Sequence, residues 1–552
     1  MKTSKRVILA TVITALIAAL GFYLILPAIN VYSQEFWITL TFVIVIWGVI
    51  YFIAGSGAKI KNFGKVGKSG FSFKFGAVKW VAIAAAIPVA VLLVGNLVSS
   101  TFLNAQKYAN IIEVPEAVFE EDMPESDTVS NIALMDTDSA TILGNRKMGE
   151  LSAYVSQYEV GSSYSQINLG GKPAKVTNLE YGDFFKWFNN REQGIPGYIN
   201  VNPVDPDAEY VEFSEHMKYV DSAFFGDDLL RKLRFSYPTK IFDEINFEID
   251  EEGKPYYIVS CLTPRVGLFG AMDVNEVIIF NPVDGSSQIY SVSETPSWVD
   301  NVFTGHLAAQ KYDWYGMLKN GFWNSIIGNK DCKITTDDFG YIVIEDDVWY
   351  FTGVTSVGND ESNIGFIISN ARTGEYKYYP VFGAEEYSAM GAAEGEVQEM
   401  RYVASFPSLI NVSGEATYIM VLKDANGIVK LYALVNVENY SLVATGANQT
   451  EAKQAYIKLL KEKGVIVEDG QPAEPTQPEA LSADIVVADI RTVTVDGTSV
   501  LYITDENGVL YKQSVSADES IMLIKNGDSI TVKYHDTSIA GIKQIASWTK
   551  KA

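Results

Sequence analysis

The chain has 552 residues, a formal charge of −24 and 48% apolar content, the last crowded at the N-terminus, which is more than one domain holds. Residues 1–101 hold nine Lys/Arg against the single acid Glu35, leaving 34 basic and 66 acidic residues and a net charge of −32 for the rest. A body so acidic repels phosphate backbones, and it carries no basic stripe with interleaved aromatics, which excludes nucleic acid as a partner.

Three stretches, about 7–29, 36–54 and 80–98, each match the ~20 apolar residues that cross a hydrocarbon core, and none contains a charge. Lys2, Lys5 and Arg6 precede the first, while Lys59, Lys61, Lys65, Lys68, Lys74 and Lys79 lie between the second and third. By the positive-inside rule the N-terminus and the basic loop are cytoplasmic, and everything after residue 100 lies outside. Two further spans after the first argue against a cleaved signal peptide. Gly67-Lys68-Ser69 has the ending of a phosphate loop, but Asn62 stands where its first glycine belongs. The loop reads as a topology signal that also touches anionic lipid.

After the third span, Glu113–Asp127 is dense in Glu, Asp and Pro, and 102–127 is expected to form an extended acidic stalk. A second break at 466–480, rich in Pro and Glu, predicts a semi-rigid linker. Between them, 128–465 reads as an α+β body, and 481–552 as a small separate unit. In the body, three strands run into an Asn and a turn and then resume. They are Ile278-Ile279-Phe280-Asn281-Pro282-Val283-Asp284-Gly285, Ile367-Ile368-Ser369-Asn370-Ala371-Arg372-Thr373-Gly374 and Leu434-Val435-Asn436-Val437-Glu438-Asn439-Tyr440. Amphipathic helical stretches precede them, at 227–235, about 306–326 and 384–400. Two of these close alike, with Arg234-Phe235 before Tyr237-Pro238 and Arg401-Tyr402 before Phe406-Pro407.

A helix laid on an antiparallel sheet, with final strands such as Asn370-Ala371-Arg372-Thr373-Gly374-Glu375-Tyr376, resembles the PepSY-type, cystatin-like modules of envelope proteins and protease propeptides. The resemblance covers about 225–450 and implies modules that bind or restrain partners such as peptidases. The whole chain also looks like a group of membrane proteins of Gram-positive bacteria, on segments such as Tyr181-Gly182-Asp183-Phe184-Phe185-Lys186-Trp187-Phe188 and Gly194-Ile195-Pro196-Gly197-Tyr198. No activity comes with that group.

The tail shows five strand-like runs, at 485–495, 500–505, 509–516, 529–534 and 541–548, punctuated by Asp496-Gly497, Asn507-Gly508 and Asn526-Gly527. The layout resembles a small OB-like β-barrel. The expected fold class is thus α+β, with a three-helix transmembrane anchor, a repeated helix-plus-sheet body and a C-terminal barrel.

Candidate chemistry concentrates in Gly358-Asn359-Asp360-Glu361-Ser362-Asn363 and Gly383-Ala384-Glu385-Glu386. Asp360, Glu361, Asn363, Glu385 and Glu386 could bind Ca²⁺ or a ligand amine beside a helix N-terminus. Turn formation and the helix dipole explain the same residues without a ligand. No other cofactor is expected. Asp205-Pro206-Asp207 and Asp250-Glu251-Glu252-Gly253 read as hairpin turns. Phe184-Phe185-Lys186-Trp187-Phe188 and Trp314-Tyr315 read as core, or as a wall that stacks sugar rings. Cys261 and Cys332 could close a loop worth roughly 4 kcal/mol, but spacing does not decide their geometry. GxSxG and HExxH are absent, and only His216, His306 and His535 are available as imidazole bases. The expected function is a non-enzymatic membrane-anchored scaffold for a protein or peptide partner. The alternatives are an envelope hydrolase with paired carboxylates and a Ca²⁺-dependent or glycan-binding module.

Overall fold

A computed structural model describes residues 3–56, 75–123, 134–204, 207–336, 338–344, 347–357, 362–465, 481–495, 498–514, 519–536 and 542–551. The basic loop, the linker, the Asp205-Pro206 pair, and Asp360 and Glu361 lie outside the described residues. The chain forms two compact units, 1–462 and 463–552.

Three helices, Thr3–Ile25, Gln34–Ser56 and Phe75–Ser99, are long and apolar enough to cross a membrane. The first stops at Ile25 rather than near residue 29. Pro27 disfavours helical geometry at the residue before it, and Leu26 turns left-handed with φ 54°. The ends of the first and third helices are both fastened to the body. Arg234, which is buried, donates from Nε to the Leu26 carbonyl (2.9 Å) and from Nη1 to Lys240 O (2.5 Å), and Ile29 N–H donates to Pro238 O (2.7 Å). At the third helix, Ser99 Oγ accepts from the N–H groups of Leu268 (2.8 Å) and Phe269 (2.9 Å), at the tip of a body hairpin. Gly270 is required there, because a Cβ would meet Tyr108 Oη at 2.3 Å and Ser99 O at 2.6 Å.

The described part of the stretch expected to form a stalk, 102–123, is built into the body. Helix Thr101–Ala109 is followed by Ile111 and Ile112, which join a cluster with Tyr312 and Tyr378. Glu116 bridges to Tyr378, and Ala117 N–H donates to Tyr378 O at 2.9 Å. Phe119 and Met123 are buried against Tyr379, Tyr418 and Leu409. Acidic composition mispredicts this segment because the apolar residues set among its acids are placed to dock.

Four modules follow, each a helix and then an antiparallel meander. Helix Thr137–Glu150 leads to Tyr158–Val160, Ser165–Leu169, Lys172–Tyr181, Ile195–Asn202 and Asp207–Met217. Leu229–Ser236 leads to Ile241–Ile249, Pro255–Val266, Gly270–Phe280 and Ser287–Ser291. Gly305–Leu318 precedes Lys333–Thr335, Gly340–Ile344, Asp347–Ser356, Ser362–Asn370 and Tyr376–Tyr379. Glu386–Glu396 precedes Val403–Ala404, Ser408–Val412, Glu415–Lys423, Val429–Asn436 and Val443–Gly446, and helix Gln449–Glu462 completes the unit. In the first, third and fourth modules the opening strand is broken in two along one partner; in the second it carries a bulge between Phe242 and Ile245.

The three-part repeat is therefore fourfold, and the shared Asn has a structural reason. Its side-chain oxygen accepts a backbone N–H inside the turn in every module: Val204 on Asn202 (2.9 Å), Val283 on Asn281 (2.8 Å), Arg372 on Asn370 (2.9 Å) and Asn439 on Asn436 (2.8 Å). In the first three modules this bond, two residues on, is an Asx turn, and in the fourth it reaches three residues on; each fixes the hairpin by which the last strand returns. The Asp250 cluster is also a turn, with Asp250 Oδ1 accepting from Glu252 N (3.0 Å) and Lys254 N (2.8 Å). The Arg resemblance between 234 and 401 stops at sequence: Arg234 is buried, whereas Arg401 is exposed with φ 55° at the end of a short 3₁₀ turn.

Modules pack in pairs. Val176, Tyr198 and Phe213 of the first meet Phe247, Tyr257 and Val259 of the second. Phe351, Phe366 and Ile368 of the third meet Tyr418, Met420 and Leu422 of the fourth. Middle strands such as Glu415–Lys423 are therefore apolar along nearly their whole length, not alternating. The two pairs are joined by a polar knot around Glu248. Its Oε2 accepts from Asp300 N–H (2.9 Å), and its Oε1 from the Asn301 N–H (2.8 Å) and Nδ2 (2.9 Å). Asn301 Nδ2 also donates to Gln166 O (2.9 Å), and Asn168 N–H to Asp300 Oδ2 (2.7 Å). A second tie runs from Asp136, which caps the first module's helix, to Lys423 of the fourth at 2.5 Å.

Cys261 and Cys332 are buried and unpaired. Burial pushes the Cys261 thiol up to about 12, far from thiolate character at neutral pH. Electrophoretic mobility is therefore expected to be the same with and without reductant, and a maleimide should label the protein appreciably only after denaturation. A reductant-dependent shift would mean that the thiols pair.

In the second unit, Leu481–Val495, Thr498–Asp505, Leu510–Ser514, Ser529–Asp536 and Ile542–Lys550 pair in the order first, second, third, fifth, fourth. The third and fifth are parallel, and the first also pairs with the fourth. Ile503, Ile521, Ile530 and Val532 fill its core.

Candidate functional site

Of the residues singled out in the sequence, Asn363, Glu385 and Glu386 are described. Two of them converge, but inward. Glu386 opens helix Glu386–Glu396 and is fully buried, with Oε1 accepting from Gly353 N–H at 2.7 Å. Burial pushes its carboxyl up to about 7, against hydrogen bonds from backbone N–H groups and Thr336 that pull it down. Asn363 Nδ2 donates to Tyr418 Oη (3.1 Å), which donates to Ala384 O (3.1 Å). Gly353 is obligatory between them, since a Cβ there would lie 2.5 Å from the Asn363 carboxamide nitrogen. These groups tie the third and fourth modules together. Glu385 sits half-buried at the N-cap with Ser388 Oγ 3.5 Å from its Oε1. Among the described residues, no three His, Cys, Asp or Glu side chains converge as a metal ion requires.

A cleft of about 830 Å³ lies instead between the second and third modules. Its floor is a charge triad: Lys311 Nζ is 2.8 Å from Asp273 Oδ1, and Arg265 Nε is 3.3 Å from Asp273 Oδ2. Helix Gly305–Leu318 presents Lys311 to the interior, where its ammonium also lies 4.7 Å from the Phe303 ring centroid and 5.8 Å from that of Tyr376. On the opposite wall the Asx turn of the third module projects Arg372, gripped in a two-pronged pair by Asp347 at 2.8 Å on each branch. Ile111 and Pro115 form one rim, and Ser291 and Val292 the other.

That second rim continues a sheet edge. Strand Ser287–Ser291 pairs with Gly270–Phe280 on one side, and among the described strands it has no partner on the other. The cleft thus combines an open backbone edge, apolar Ile111, Pro115 and Val292 on its rims, and three cations whose counter-ions are already in place. Such a surface takes an extended segment by strand addition, with main-chain hydrogen bonds for affinity and side-chain pairing for register. Sequence reading missed it because Arg265, Asp273, Lys311 and Arg372 are remote in the chain. The one available sign was Lys311, a lysine on the apolar face of its helix.

The aromatics singled out in the sequence are core in part: Trp187 belongs to the core shared by the first and second modules, Phe184 packs against it, and Trp314 and Tyr315 pack half-buried on two further clusters. In helix Phe184–Asn190 only Trp187 is buried; Phe185 and Phe188 are exposed. No protein-family model matches the chain and neither does any curated protein, so function has to be read from the cleft's own chemistry.

Proposed function

We propose that the chain is a membrane-anchored envelope protein with its N-terminus in the cytoplasm and its body outside, and that the body binds an extended protein or peptide segment in the cleft between the second and third modules. The orientation rests on the lysines before the first span and between the second and third. The observation that carries the binding reading is the open Ser287–Ser291 edge bordering a cleft with Arg265, Lys311 and Arg372 on its walls. The four helix-on-meander modules support a PepSY-like reading of the body. The first-second-third-fifth-fourth order, with its parallel pair, supports an OB-like reading of the tail. Fold alone assigns neither a ligand.

Photo-cross-linkers at Ser293 and Thr373, both in the cleft, are expected to give the same discrete adduct in intact membranes. The adduct should be lost when Arg372→Glu reverses the wall charge, and absent with the cross-linker at Tyr440, outside the cleft. Adducts that persist in Arg372→Glu, or that form equally from Tyr440, would reject the cleft as the binding element.

A further inference from the structure

Two exposed apolar prongs flank the places where the spanning helices enter the body. The first begins at the end of helix Thr3–Ile25. Phe235 packs edge-on against Phe22 (5.5 Å between centroids) and Tyr23 (6.3 Å), and the Arg231 guanidinium lies 4.4 Å from the Tyr23 ring centroid. Arg231 Nη1 donates to Phe225 O (2.8 Å), and Phe225 adjoins Trp187 and Phe184 in one aromatic cluster. Its outer members face solvent, Phe185 at 74% and Phe225 at 58% of full exposure. Phe225 holds a left-handed φ of 55° to do so, a conformation that costs a bulky residue free energy.

The second prong begins at the end of helix Phe75–Ser99. Phe102 packs edge-on against Phe322 (5.2 Å) and Trp323 (5.9 Å). They open a π-helical turn, Asn324–Gly328, that ends on left-handed Asn329. Asn324 locks the turn from within, donating from Nδ2 to Lys330 O (2.8 Å) and accepting from Lys330 N–H (3.2 Å). The locked turn leaves Trp323 64% and Ile327 77% exposed. π-turns are rare and concentrate at functional positions. Both prongs therefore hold large apolar groups outward on constrained backbone, where water would otherwise disfavour them.

We infer that both prongs insert into the headgroup and acyl boundary of the leaflet that the body faces, so that the body lies on the membrane at two points besides its three spans. The occupant follows from continuity. Phe22, Tyr23 and Phe102 belong to, or directly follow, helices long and apolar enough to span, and the prongs pack on those residues. Aromatic rings at this level match the interfacial belts of membrane proteins, and Arg191, 4.3 Å from the Phe188 ring centroid, and exposed Lys319 and Lys330 are placed to reach lipid phosphates. The inference needs only the spans, not the partner cleft or the choice of membrane side.

The test uses the full chain in vesicles of phosphatidylcholine and phosphatidylglycerol, with Phe185→Cys, Ile327→Cys and, as a reference on the fourth module, Tyr440→Cys, each carrying an environment-sensitive fluorophore. Positions 185 and 327 are expected to emit at shorter wavelength than 440, to be quenched by spin labels on the acyl chains, and to be several-fold less accessible to iodide. Equal iodide quenching at all three positions would overturn the inference. So would protection of 185 and 327 from both quenchers, because that places a protein or a second copy over the prongs. If a labelled variant misfolds, Trp323→Phe gives an independent reading: brominated lipid also quenches Trp37, Trp47 and Trp80 of the spanning helices, so the fluorescence lost in Trp323→Phe should lower the lipid-quenched signal below that of the wild type, and a brominated-lipid signal left unchanged would equally overturn insertion.

Discussion

Replacing Glu248 by alanine is expected to destabilise the body by roughly 4 kcal/mol and to do so across both module pairs. The carboxylate receives three N–H donors, from Asp300 and twice from Asn301, and has no exposed surface. Removing it orphans those donors at about 1–3 kcal/mol each, less what entering water recovers. The loss should spread, because Asn301 also holds Gln166 of the first module and sits 3.5 Å from Tyr350 Oη of the third. Thermal unfolding of the full chain should show a clearly lower midpoint, and hydrogen exchange should rise in Ser165–Leu169 and Asp347–Ser356 as well as in Ile241–Ile249. Exchange confined to the second module would mean that the knot does not couple the pairs.

The sequence spoke most clearly where one physical requirement fills a whole segment. The spans were legible because they hold no charge and few polar residues over about twenty positions, and the tail because an Asp-Gly or Asn-Gly pair falls in three of its four connections. The fourfold repeat was legible in three copies through the Asn that caps each hairpin. Its first copy carried the same sign, with Asn202-Pro203-Val204-Asp205 repeating Asn281-Pro282-Val283-Asp284, but helix Phe184–Asn190, inserted between its strands, disguised the meander. The stalk misled for the opposite reason, since net charge describes the surface of a segment while Phe119 and Met123 decide where it goes. Of the candidate site, the closeness of Asn363 to Glu386 was foreseeable, but not that both point inward. Burial depends on which sheet packs behind Gly353, and the cleft depends on contacts between modules, neither of which a local pattern encodes.

Stability is expected to rise as pH falls from about 7 to about 5. Glu248 and Glu386 both stand at about 7 in the folded protein because burial penalises their charged forms, against 4.5 in an unfolded chain. Between these values the native state binds more protons than the unfolded one, so the free energy of unfolding decreases as pH increases, and it levels off above 7 once both states are ionised. Each carboxyl contributes on the order of 3 kcal/mol to this difference. Burial moves Asp313, Asp221 and Glu244 in the same direction, adding to the slope at lower pH. The trend reverses in stronger acid. Burial of Asp136 is outweighed by its bonds to Lys423 and Ser139, so its pKa is lowered, and the stability it contributes is present above the unfolded value of 3.8 and lost below it. Unfolding of the full chain in nanodiscs, followed by tryptophan emission, should therefore give its highest midpoint near pH 5. Glu386→Gln keeps an acceptor for Gly353 N–H but cannot ionise, so it should remove about half of the slope between pH 5 and 7. A wild-type midpoint that instead rose with pH across this window would mean that Glu248 and Glu386 are ionised in the folded protein and that their N–H donors outweigh the cost of burial.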